Sequence, residues 1–340
     1  MSHLGNAWRG SARVIAGAFG AFTNGLTSAM PAATADKNVD MLVGGQAVIE
    51  GVMMRGLSGY SVAVRKPDGG IEIKKDVLVA ITKKYPWLRF PVLRGSVVLI
   101  QSLVLGIRAL NYSASVSSAG ADGEPEMSNW AIVSSMLMAL VLGVGLFILA
   151  PLGITNLIRH YLFPQMGNVA YNAIDGVLRA LFFFVYVLSI SFMDDIRRVF
   201  QYHGAEHKTV YTFEANEELT VENARRKSTL HPRCGTSFLL FVMAISIVVF
   251  SLIPSTAHFT IKFGARVVLI PLIAGLAYEV IRFSARHLDS AICRTLITPG
   301  LWLQRITTKE PDDKQLEIAI VALKEALVYD IVQPEQAAVA

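Results

Sequence analysis

Apolar residues gather into long unbroken runs through the middle of the chain and into short alternating runs before it. The two patterns predict different structures. Trp130 to Pro151 holds no charged residue and exceeds the roughly 20 apolar residues that a bilayer-spanning helix needs. Val177 to Met193 is similar, with Arg179 near its start; Gly235 to Pro254 is uncharged throughout; Val267 to Ile281 is shorter and carries Glu279 near its end. These four runs predict four transmembrane helices. Val92 to Leu110 is also apolar, but Arg94 and Arg108 bracket it. The clean stretch between them is too short to span, so an interfacial or re-entrant helix is expected there.

Upstream, the period shortens to that of a strand. Gln46 to Met54 reads as one strand bounded by Gly44-Gly45 and Gly56. Ser61 to Lys66 and Ile71 to Lys75 read as two more, joined by the turn signal Pro67-Asp68-Gly69-Gly70. Downstream, Asp312 and Gln315 have the spacing of a capping box, and Leu316, Ile320, Leu323 and Leu327 form one apolar helical stripe. That helix is expected to dock on the membrane or on the β subdomain. The fold class is a mainly α membrane protein with about four transmembrane helices, a small N-terminal cytoplasmic β subdomain and an amphipathic C-terminal helix. Its expected parts are a tail (1–40), the β subdomain (41–90), an interfacial helix and Ser/Gly/Ala-rich linker (91–128), the membrane domain (129–290) with a His-rich segment (194–235), and the C-terminal segment (291–340). In the tail, Arg9 and Arg13 precede a weak apolar run and imitate a signal peptide. Gly17 and Gly20 interrupt that run, which favours a flexible or surface-associated tail.

Charge fixes an orientation. Only 17% of the 340 residues are charged, below the roughly 25% usual in soluble domains. The segment Asp194 to Cys234 contains Arg197, Arg198, Lys208, Arg225, Arg226, Lys227 and Arg233. Between the first two spans there is only Arg159, and between the last two only Lys262 and Arg266. Basic residues mark the cytoplasmic side, so both termini and the His-rich segment are expected in the cytoplasm. The net charge of +5 follows from these loops. No basic stripe with interleaved aromatics exists, which argues against nucleic-acid binding. Cys234 and Cys293, the two cysteines, are too few and too far apart for a disulfide framework.

The candidate chemistry lies in the loop between the second and third spans. His203-Gly204-Ala205-Glu206-His207 has the H-x-x-E-H spacing of the inverted zinc-peptidase motif. On a helix, His203 and His207 share a face with Glu206 beside them. Two imidazoles need one or two further ligands. His231 and Cys234, three apart at a turn, are the first choice, and Glu214 and Glu222 the second. Glu206 would then be the general base, and Arg233 would steady an anionic intermediate. The competing reading makes the histidines helix caps or headgroup contacts, and Glu206 and Lys208 solvated surface charges. Elsewhere, Glu279 and Arg282 are spaced for a helix-surface ion pair, with His287 and Asp289 just beyond. Glu50 and Arg55 are read as a buried pair or as contributors to the site, and Gly44-Gly45 as a tight turn.

Several runs carry a family resemblance. Gly44 to Gly56 (GGQAVIEGVMMRG), Phe90 to Gly95 (FPVLRG), Asp195 to Lys208 (DIRRVFQYHGAEHK), Ser228 to Ser237 (STLHPRCGTS) and Pro299 to Gln304 (PGLWLQ) resemble the YqhQ-like family over roughly residues 41 to 330. The resemblance implies a protein of bacterial cell membranes, with relatives in plastids, in a domain family of unknown function described as predicted metal-dependent enzymes. Glu50, His203, Glu206, His207, His231 and Cys234 are the matching motif residues.

The expectation is a multi-pass, metal-dependent hydrolase of the cytoplasmic membrane interface. Zinc or another divalent metal would be held by His203, His207, His231 and Cys234. The partner is the bilayer, and a lipid or membrane-protein segment is the natural substrate. The alternative is a non-enzymatic scaffold or assembly factor whose polar cluster is structural. A transporter is disfavoured, because no inverted repeat is present.

Overall fold

The computed structural model describes residues 43–78, 81, 85–118, 129–287 and 290–332. The expected tail, most of the linker and Asp289 lie outside the described residues. Four strands, β1 (Gly44–Val48), β2 (Gly51–Arg55), β3 (Gly59–Arg65) and β4 (Ile71–Val77), form an antiparallel sheet in that order. The helices are α1 (Leu93–Ser118), α2 (Asn129–Val144), α3 (Ala150–Tyr161), α4 (Asn168–Ile190), α5 (Asp194–Glu214), α6 (Val221–Arg225), α7 (Gly235–Phe250), α8 (Phe259–Arg286), α9 (Ala291–Thr307) and α10 (Asp313–Val332). A π-helical turn, Gly145–Leu149, joins α2 to α3.

The run Gln46 to Met54 is not one strand. The chain reverses at Ile49-Glu50, and β1 pairs back on β2 with Val48 opposite Gly51. Glu50 takes a φ of 52°, a left-handed conformation costing a non-glycine residue about 1–2 kcal/mol. Its carboxylate offsets that cost, because Arg198 binds both its oxygens and the Tyr202 hydroxyl lies 3.3 Å away. Glu50 therefore pairs with Arg198 on α5 and not with Arg55. The turn is hidden in the sequence because the apolar pattern runs straight through it.

The sheet is covered on both faces. Val52, Met54 and Ala63 pack against Tyr202 and Ala205 of α5 and Leu316, Ala319 and Leu323 of α10. On the other face Met53, Val62 and Val64 pack against Leu105 and Ala109 of α1. Burial on both faces accounts for the nearly unbroken apolar run of β2. The α10 capping box forms as expected: the Gln315 N–H donates to Asp312 Oδ1 at 2.8 Å, and the Asp312 N–H to Gln315 Oε1 at 2.9 Å. Its apolar stripe docks on the sheet.

Among the described residues four helices are long and apolar enough to cross a membrane: Leu93–Ser118, Val133–Tyr161, Asn168–Ile190 and Phe259–Ser284. This set differs from the expected one. Helix α1 qualifies because Arg94 does not interrupt it; its guanidinium is matched by Glu279 of α8, with Nε 2.7 Å from Oε1. That contact takes the place of the expected Glu279–Arg282 pair, where α1 and α8 pack closely. A Cβ at Gly275 would stand 2.3 Å from the Val92 carbonyl oxygen. Helix α7 is only 16 residues long, about 24 Å at 1.5 Å per residue. It stops at Phe250 in a turn that leads to Pro254. Helix α8 starts earlier than Val267, because Lys262 and Arg266, which resembled loop charges, are buried inside it.

Leu323 is fully buried between α10 and the sheet. Leu323→Ala is expected to destabilise the protein by about 2–5 kcal/mol, whereas Val328→Ala, on the exposed face of the same helix, should fall within about 0.5 kcal/mol of wild type. Unfolding of the purified variants checks both; equal losses would contradict this packing.

Candidate metal centre

Helix α5 carries the centre, and its surroundings are unusual for so polar a sequence. Every residue from Gly204 to Val210 is buried. Strand β1 lies along one side and α10 along another, while the segments around Thr229 and Thr307–Lys309 close the rest. Gly204 makes that closure possible, since a Cβ there would stand 2.1 Å from the Lys309 carbonyl oxygen. Glu206 and Lys208 are therefore not solvated surface charges. Lys208 Nζ donates to the Arg225 carbonyl at 2.9 Å and pairs with Glu310 at 2.5 Å.

The two imidazoles are held alike. His203 Nδ1 lies 2.8 Å from the Thr307 carbonyl oxygen, and His207 Nδ1 lies 2.5 Å from that of Thr229. A carbonyl only accepts, so each Nδ1 carries the proton and each Nε2 keeps its lone pair. Backbone carbonyls orient metal-binding histidines in this way. His203 Nε2 points at Cys234 Sγ, 3.2 Å away. His207 Nε2 is buried and has no hydrogen-bond partner, an arrangement that normally demands an explanation. Cys234 caps the N-terminus of α7, where the Thr236 N–H points at its sulfur from 3.4 Å. The positive end of the α7 dipole thus faces the sulfur.

One donor atom from each of His203, His207 and Cys234 lies within 4.8 Å of the others. Zinc bonds of about 2.0–2.1 Å to nitrogen and 2.3 Å to sulfur place tetrahedral ligands roughly 3.5 Å apart, so the donor set fits a zinc-class ion after small side-chain adjustments. Glu206 stands beside it, its Oε2 3.5 Å from His207 Nε2. A cavity of about 360 Å³ opens onto His203, Glu206, His207 and Cys234.

His231 stands one layer back. Its ring centroid is 5.5 Å from that of His207, but both nitrogens are engaged elsewhere. Nδ1 accepts from the Arg233 N–H at 3.3 Å, and Nε2 lies 3.4 Å from Glu214 Oε2. Arg233 lines the cavity and pairs its guanidinium with the same carboxylate. Glu214 is therefore the partner of His231 and Arg233. Glu222 pairs with Arg226 in solvent, away from the centre.

Two residues of the site escaped sequence reasoning. Gln304, fully buried in α9, clamps the His231 backbone from both sides: its Nε2 donates to the His231 carbonyl at 2.8 Å, and its Oε1 accepts the His231 N–H at 2.7 Å. This fixes the turn that presents Cys234. The signal available was a lone glutamine in the run Pro299 to Gln304. Gly45 is the second. It lies within β1 and not in a turn, and a Cβ there would press on Glu206 Cγ at 3.0 Å and on the Met53 carbonyl at 2.4 Å. The missing side chain lets the Glu206 carboxylate sit beside the sheet.

Burial acts to raise the Glu214 carboxyl, but the hydrogen bond and charge of His231 and the Arg233 guanidinium outweigh it and hold the group below the usual carboxylate range. A depressed folded-state value contributes stability above the unfolded-state value of about 4.3, and that contribution is lost as pH falls through the folded-state value. The drop in melting temperature between pH 6.5 and pH 3.5 is therefore expected to be smaller in Glu214→Gln than in wild type. Equal drops would contradict this role.

Comparison with known proteins adds a family. Residues 90–329 match the family described as a protein of unknown function, DUF1385. The chain is 36% identical over 303 residues to the uncharacterized protein YqhQ of Bacillus subtilis (strain 168), covering 84% of this chain and 92% of that relative. No solved structure matches.

Proposed function

The chain belongs to the DUF1385 family, of unknown function, and we propose that it is a membrane-integral, metal-dependent hydrolase working at the cytoplasmic membrane interface. The observation that carries this reading is the convergence of His203, His207 and Cys234, with the His207 Nε2 lone pair buried and unmatched. Three protein ligands leave one position open, the pattern of catalytic zinc, whereas structural zinc takes four.

Membrane placement is supported by a parity argument. The sheet, α5 and α10 share one core, so all three lie on the same side of the bilayer. The chain must then cross an even number of times between the sheet and α5, and again between α5 and α10. The C-terminal half of α1 is committed to the sheet, which disfavours its crossing; α2–α3 and α4 make the first pair. Helices α7 and α8 make the second, with the turn after Phe250 extending the short α7. The seven basic residues between Asp194 and Cys234 support a cytoplasmic centre in a bacterial cell membrane.

His203, His207 and Cys234 would hold the ion. When bound, it supplies a Lewis acid that polarises a carbonyl or phosphoryl oxygen and makes water acidic enough to lose a proton near neutral pH. The protein does the remainder. The Thr307 and Thr229 carbonyls keep both imidazoles aimed and in one tautomer. Glu206, only 6% exposed, accepts the proton of the attacking water and returns it to the leaving group. Gly45 and β1 cover one side of that carboxylate, and its other side faces the cavity. Arg233 stands at the cavity, where its charge, shared with Glu214, faces an anionic intermediate. A cavity of about 360 Å³ beside the membrane suits the reacting end of a lipid or of a membrane-protein segment.

The purified wild type is expected to hold about one zinc per chain, and His203→Ala to lose it. Glu206→Gln should keep the metal, yet membranes of cells carrying it should accumulate the same uncleaved species as those carrying His203→Ala. A metal-free wild type, or Glu206→Gln membranes identical to wild type in lipid and peptide profile, would overturn the hydrolase and favour a scaffold.

A further inference from the structure

The three basic residues that stand apart from the cytoplasmic charge bias, Arg159, Lys262 and Arg266, converge at the far end of the helices from the metal centre. Arg266, 1% exposed, places Nη2 3.1 Å from Asp175 Oδ2, and Arg179 places Nη2 2.9 Å from the same oxygen. Both guanidinium groups also lie over the Phe250 ring. The Arg266 Nη1 donates to the Lys262 carbonyl at 3.3 Å. The Lys262 ammonium, also buried, contacts Asn156 Oδ1 at 2.7 Å, the Tyr171 hydroxyl at 3.0 Å and the Ser255 carbonyl at 3.3 Å. Arg159 donates to that same Ser255 carbonyl.

Charge does not balance in this cluster. Four cations, Arg159, Arg179, Lys262 and Arg266, meet one carboxylate, Asp175, among the described residues, and two arginines already share one of its oxygens. Among the described residues neither Lys262 nor Arg159 contacts an acidic side chain. The Nε atoms of Arg179 and Arg266, and Oδ1 of Asp175 between them, are buried without partners. Ionisable groups at membrane depth are costly, and unmatched ones most of all. A ligand bearing negative charge beside Arg159 would offset the excess charge of Arg159 and Lys262. The route to the cluster exists: a cavity of about 400 Å³ is lined by Asn156, Arg159, His160 and Pro164. Asn156 Oδ1 is taken by both Tyr171 and Lys262, so its NH₂ donors are what the side chain can offer a ligand, and donors suit an anion.

We propose that this cluster binds an anionic phosphate group, in the first place the phosphodiester of a membrane phospholipid. Arg159 and Asn156 hold the phosphate oxygens, and Lys262 supplies charge from behind. The lipid source is favoured by Tyr161 and Phe163, which adjoin the lining residues His160 and Pro164 in the chain and are exposed, as aromatic residues are at the headgroup level of a bilayer. The proposal rests on the membrane placement argued above, and not on the metal.

The test uses the full chain in detergent, titrated with short-chain phosphatidylglycerol, with the matching diacylglycerol and with inorganic phosphate. Saturable binding of about one phosphatidylglycerol per chain is expected, with none for the diacylglycerol. Arg159→Gln should weaken binding at least tenfold, and Arg159→Lys should retain most of it. Asn156→Asp, which adds a carboxylate at the mouth, should weaken it comparably, and zinc content should be unchanged in all three. Inorganic phosphate binding as tightly as the lipid would identify free phosphate as the source and keep the anion site. The proposal is overturned if the wild type binds neither phosphatidylglycerol nor phosphate, if the diacylglycerol binds equally well, or if a folded Arg159→Gln binds as wild type does.

Discussion

Burial of a polar helix is the constraint from which the rest follows. Helix α5 brings glutamate, histidine, lysine and threonine into the interior, where an unmatched polar group costs about 1–3 kcal/mol and a charge more. The chain meets that demand with backbone carbonyls and a few side chains. Lys208 takes the Arg225 carbonyl and Glu310, and the two Nδ1–H groups take carbonyls 22 and 104 residues away. After this matching the Thr209 hydroxyl and the His207 Nε2 lone pair remain without partners, and His203 Nε2, His207 Nε2 and the Cys234 sulfur converge.

The same helix ties the sheet to the candidate membrane helices. Its Glu50 partner, Arg198, and its core contacts bind it to the sheet. One turn farther along, its histidines reach the start of α7 and the end of α9. The sheet cannot move relative to the candidate membrane helices without disturbing the centre. Glycines at the crowded points, Gly45 against Glu206 and Gly204 against Lys309, leave little slack.

The sequence made some of this legible and hid the rest for physical reasons. The H-x-x-E-H spacing put His203 and His207 on one face, and a cysteine before an apolar run was a fair third ligand. His231 looked equally suitable, because spacing says nothing about which ring nitrogens are already engaged. Glu214 and the Arg233 N–H engage both. The orienting carbonyls of Thr229 and Thr307 were illegible, since any residue supplies a carbonyl. The capping box of α10 was readable because it is local. The reversal at Glu50 was not, because the chain uses a non-glycine in a left-handed conformation stabilised by an arginine 148 residues away. Helix α8 extends beyond its apolar run because Lys262 and Arg266, whose charges suggest a loop, are buried, with Arg266 paired to Asp175.

X-ray absorption at the zinc edge of the purified full-length protein tests the central claim most directly. The account predicts a first shell of two nitrogens at about 2.0 Å and one sulfur at about 2.3 Å, completed by one light atom. A shell of oxygen and nitrogen alone, with no sulfur, would contradict it.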